Sequence, residues 1–142
     1  MSSKEPTNAQ HARASQLASR LIEVIAATAD DLGRMPFFVR PMVKRGVAKR
    51  TGKSLEEWRD LALAIHREIM TSPDVGDCDA LLGRRPTLRA DLERLADDYH
   101  TAPDRAARAM RGDALARVRE RSVERERIVR ELIEALTEVG LR

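Results

Sequence analysis

Apolar residues in this chain recur three and four positions apart, and no stretch alternates Val, Ile, Phe, Tyr or Trp with polar residues over the length of a strand. A 3.6-residue helix turns such positions to one side, so the spacing predicts an all-α fold. The expected architecture is a compact bundle of about five helices ending in a long C-terminal helix. A chain of 142 residues can bury roughly 70% of the surface its unfolded form exposes, enough for one modest core without metal or disulfide support.

Caps and breakers divide the pattern. Residues 1–8 read as a disordered tail and 9–142 as a single helical domain. A first helix carries Leu17, Leu21, Ile22, Ile25 and Leu32, with Gly33 expected to end it in the left-handed conformation. The connector Met35-Pro-Phe-Phe-Val-Arg-Pro41 follows, and Pro41 suits the first turn of a second helix that Gly52 stops. Ser54-Leu-Glu-Glu57 is a capping box opening a third helix with Trp58, Leu61, Ala62, Ile65 and Ile69 inward. Residues 33–71 thus form a basic helical module. The stretch from Ser72 to Pro86 is mostly loop, with a short turn around Ala80-Leu-Leu82. Thr87 is expected to cap a helix with Leu88, Leu92, Leu95 and Tyr99 that ends near His100.

The last helix, over 113–140, is longer than a small core needs, roughly 40 Å at 1.5 Å per residue. Leu115, Val118, Val129, Leu132, Leu136 and Val139 keep a three-four spacing with Ser122 and Arg125 between them. Two readings fit: an amphipathic bundle helix, or a coiled-coil seam that makes a homodimer.

Charge separates one segment from the rest. There are 22 arginines and four lysines, an excess that base composition alone can generate, so the distribution is more telling than the total. Between Leu32 and Ser54 seven basic residues stand without an acid, while the rest of the chain carries 19 basic and 23 acidic residues. The formal charge of +3 therefore resides in that segment.

Catalytic signals are weak. Thr51-Gly-Lys-Ser54 imitates the end of a phosphate loop, yet the spacing from Gly46 is wrong and the preceding residues read as helix, where such a loop leaves a strand. His11, His66 and His100 fall on three elements without a ligand pair at helical spacing. Cys78, the single cysteine, lies between Asp77 and Asp79, whose charge disfavours its thiolate. It cannot form an intramolecular disulfide, which points to a reducing cytoplasm. No apolar run approaches the ~20 residues of a membrane span, and the first residues lack the apolar stretch of an export signal. The expectation is a cytoplasmic protein without catalysis, metal, cofactor or membrane anchor.

Two binding readings remain. Val47, Ala48, Gly52, Trp58 and Leu61 approximate a helix-turn-helix, but Lys53 stands where that motif wants an apolar residue and the third helix opens on Glu56 and Glu57. Acids there would meet phosphates and base edges that mostly prefer donors. Nucleic acid is thus the alternative partner, with the last helix as dimer seam. The first reading is an accessory protein that docks on a partner with an acidic patch through Met35–Lys53, using Phe37, Phe38, Arg40, Lys44, Arg45, Lys49 and Lys53. One phenylalanine ring is expected in the core and the other as a staple or contact.

Leu32 to Gly52 resembles the small helical module at the end of the substrate-binding subunit of light-independent protochlorophyllide reductase. The matching positions are Leu32, Met35, Pro36, Phe38, Val39, Arg40, Val43 and Gly52, about 21 residues in all. The acid that the family carries after the valine is missing here, and so is the large cluster-binding portion. The resemblance implies no reductase activity; it implies a module that packs onto, or caps, a larger protein or its ligand site.

Overall fold

The computed structural model describes residues 8–71 and 83–141. The expectations for the tail through residue 7, for Cys78 and for the turn at Ala80-Leu-Leu82 lie outside the described residues. Those described form five helices and no strand: α1 (Asn8–Gly33), α2 (Arg40–Thr51), α3 (Leu55–Thr71), α4 (Leu88–Ala106) and α5 (Gly112–Glu138).

Each long helix buries one stripe. Ala14, Leu17, Ala18, Leu21, Val24 and Ile25 of α1 meet Trp58, Ala62, Ile65 and Ile69 of α3, Leu92, Leu95, Ala96 and Tyr99 of α4, and the inner side of α5. α1 is flanked by α3 and α5, and α4 lies along α5. Burying each such side chain stabilises the fold by about 1.5–3 kcal/mol before the entropy of ordering is subtracted.

That packing corrects the seam. Val129, Leu132, Leu136 and Val139 are wholly buried in the core of their own chain, Leu115 is buried and Val118 half-buried. Their three-four spacing serves α4 and α1, which present the complementary apolar stripes, and leaves no apolar seam for a second copy of α5. Arg125, expected to weaken the middle of a seam, is held by Asp31 of α1 at 2.8 Å, and Ser122 is buried. The same junction holds Tyr99, whose hydroxyl lies 2.6 Å from that of Thr28. Burial pushes the Tyr99 phenol up to about 12.

Three local expectations also change. Gly33 ends α1 without a positive φ, which among the described glycines belongs to Gly52, Gly112 and Gly140. The Thr87 hydroxyl donates to the Asp91 carboxylate at 3.0 Å and makes no cap to the helix amides. α4 does not stop near His100 but runs through Pro103 to Ala106. A proline deletes one hydrogen bond of a helix without abolishing the turn that packing supports.

Candidate functional site

α2 is the shortest of the five helices and sits beside the main core on a cluster of its own. Leu32, Val47 and Leu55 are buried there, with Met35 and Val43 packed against them. Its C-terminus is fixed by a buried hydroxyl. Thr51 Oγ1 donates to the Val47 carbonyl at 2.7 Å and accepts from Trp58 Nε1 at 2.8 Å, which joins α2 to α3. Gly52, at φ 84°, ends the helix with its amide on Ala48 O, a conformation that costs glycine least. The capping box then starts α3: Ser54 N donates to Glu57 Oε1 at 3.0 Å and Glu57 N to Ser54 Oγ at 3.1 Å. That backbone amide holds the Glu57 carboxyl below the usual carboxylate range.

The N-terminal side is clamped as firmly. Val39 N donates to Pro36 O at 3.0 Å, so Phe37 and Phe38 occupy the tip of a tight turn. Arg40 reaches back across it, donating to Met35 O at 2.9 Å and to Gly33 O at 2.6 Å. Arg40 is therefore a brace for the connector. A turn tip directs its side chains away from the body, and Phe37 is 79% and Phe38 72% exposed. Neither ring enters the core, contrary to the expectation for one of them. They pack edge to face on each other, centroids 5.9 Å apart, a favoured aromatic geometry.

The seven cations of the segment divide in the same way. Lys44 meets Glu56 at 3.6 Å, Lys53 meets Asp91 at 3.8 Å and Arg50 meets Asp98 at 2.5 Å. Arg34 meets Asp31 at 3.7 Å. Much of the expected docking charge is thus answered within the chain, by α3 and α4. Arg45 and Lys49 have no ion-pair partner among the described residues, and both are exposed. On the helix they follow Met42, itself 63% exposed, giving positions 42, 45 and 49 on one outer stripe, with the exposed Phe37–Phe38 turn just before it. Val43 and Val47 face inward on the opposite side. Sequence reasoning did not include Met42 among the site residues; its place three residues before Arg45 and seven before Lys49 was the signal.

Elsewhere, a shallow concavity of about 750 Å³ lies on α5 between Arg119 and Arg125, beside the exposed Val123. A cleft of about 180 Å³ is lined by Arg50, Arg94, Asp97, Asp98 and Thr101, its charges of both signs. No group of metal-ligating side chains occurs among the described residues, and no helix there is long and apolar enough to cross a membrane. The tip of α3 presents Glu56, Glu57 and Asp60 to solvent, the wrong sign for a helix entering a DNA groove. No family model, no curated protein and no solved structure matches the chain.

Proposed function

We propose that this protein is a non-catalytic helical accessory protein that docks on another protein through the outer face of the connector and α2. The observation that carries the reading is one surface: an exposed aromatic pair and Met42, continued along the helix by Arg45 and Lys49, on a turn braced by Arg40 and a helix end pinned by Thr51. Exposed aromatic and cationic side chains on a rigid support are what interface hot spots are made of, because little entropy is lost when they are covered. Arg45 and Lys49 would steer an acidic partner and fix its register. The resemblance of Leu32–Gly52 to a module that packs on a larger protein is in keeping with this use.

Affinity capture by the tagged full chain tests it, against one variant with Phe37→Ser and Phe38→Ser and another with Arg45→Glu and Lys49→Glu. Both should keep their helical circular dichroism and lose a captured protein. Unchanged capture would remove the assignment. Sequence-dependent, sub-micromolar binding of duplex DNA at physiological salt would replace it with the regulator reading.

A further inference from the structure

α3 carries an outer stripe of its own. Glu56, Asp60, Leu63, Arg67 and Met70 are exposed at successive four- and three-residue steps, opposite the buried Trp58, Ala62, Ile65 and Ile69. Leu63 is 45% and Met70 61% exposed, among the largest apolar surfaces the described residues offer outside the connector and α2. The order of chemistry along this stripe is acid, acid, apolar, cation, apolar. Along α2 it is apolar, cation, cation, with the aromatic turn before it.

Laid antiparallel, the two orders match position by position. Lys49 falls opposite Glu56 and Arg45 opposite Asp60; these acids already meet Lys44 and Arg59 of their own chain, each at 3.6 Å, but both carboxylates stay exposed and can take a second cation, the one that α2 leaves without an ion pair. Met42 then falls opposite Leu63. Arg67, which also lacks an ion pair among the described residues, continues the α3 stripe past Leu63 and would meet the aromatic turn that precedes α2, where it can cover a ring as a cation. The steps coincide because 49, 45, 42 and 56, 60, 63 share one spacing, the spacing of an antiparallel helix pair. Within one chain Glu56 reaches Lys44 of α2, but Arg45 and Lys49 make no ion pair with this stripe, and the two helices meet through the inner contact of Thr51 and Trp58.

We infer that the partner of the α2 face is a second copy of this chain, whose α3 outer stripe lies antiparallel along α2. The inference rests on the docking reading above and names its occupant. The contact joins different faces of the two copies, so a closed pair uses it twice and an unclosed one propagates. It replaces α5, whose stripe from Val129 to Val139 is spent internally, as the route to self-association. A different partner would have to present the same acid-then-apolar order to displace the copy.

Charge-reversal complementation tests this on the full chain by sedimentation velocity. Arg45→Glu with Lys49→Glu makes both stripes acidic at the contact; Glu56→Lys with Asp60→Lys makes both basic. None of the four side chains lies in the core; Glu56→Lys also removes the Lys44 ion pair and a contact to Ser54, so circular dichroism is to show that each variant keeps its helices. Wild type should self-associate, less so at high salt. Each variant alone should associate on the order of tenfold more weakly or worse, because like charges are brought together. An equimolar mixture of the two should recover association, since every contact then pairs opposite signs. A mixture that stays as weak as its components overturns the inference, as does a wild type that remains monomeric at high micromolar concentration. Monomeric wild type combined with capture of another protein that Phe37→Ser and Phe38→Ser abolish would leave the docking function standing and remove only the second copy.

Discussion

Thr51 shows how one side chain can decide where a helix sits. Its hydroxyl is wholly buried and serves a carbonyl of α2 and the indole N–H of Trp58 together. Valine has nearly the same shape and would leave that indole N–H without an acceptor, which costs about 1–3 kcal/mol. Thr51→Val should lower the denaturation midpoint accordingly and shift the near-ultraviolet circular dichroism of the single tryptophan. Tyr99 supplies a second test at this scale. Its folded-state pKa of about 12 against an ordinary value of 10.0 means the native state keeps a proton that the unfolded chain releases. The stabilisation is complete below pH 10 and is lost as pH rises from about 10 to about 12. As the only tyrosine, its tyrosinate absorbance should titrate near 12 in the native protein and near 10 in denaturant.

At the scale of elements, boundaries were legible where the side chain itself makes the signal. Pro41 stands in the first turn of α2, Gly52 adopts the left-handed stop and Ser54 with Glu57 closes the box. Removing the serine hydroxyl takes away one capping bond, so Ser54→Ala should cost about 1 kcal/mol in urea unfolding with the m-value unchanged. The end of α4 was not legible, because Pro103 reads as a stop while the helix, held by its packing, runs past it to Ala106. The connector was half legible. Two prolines fix a turn, but which way Phe37 and Phe38 point depends on Arg40 bracing the carbonyls of Gly33 and Met35, a contact no spacing rule encodes.

For the whole molecule, periodicity defined the inner faces and was silent on their occupants. The stripe of α5 was equally suited to its own bundle or to a second copy; the structure gives it to α4 and α1. Leu132→Ala should therefore destabilise the fold by about 2–5 kcal/mol while leaving the sedimentation coefficient of the native chain unchanged. The cationic segment was legible as a run, but its pairing was not, since Glu56, Asp91 and Asp98 reach it from helices distant in sequence. What remains outward is the pattern of Met42, Arg45 and Lys49, which needed the helix phase before it could be read. One further contact spans the molecule: Arg13, in the second turn of α1, reaches Glu138 at the end of α5 at 3.5 Å and Glu134 at 3.7 Å. The first and last helices thus bring the two extremities of the described chain side by side. A circularly permuted gene that links those extremities and opens instead at the exposed turn over 107–111 should encode the same bundle, with the α2 face untouched.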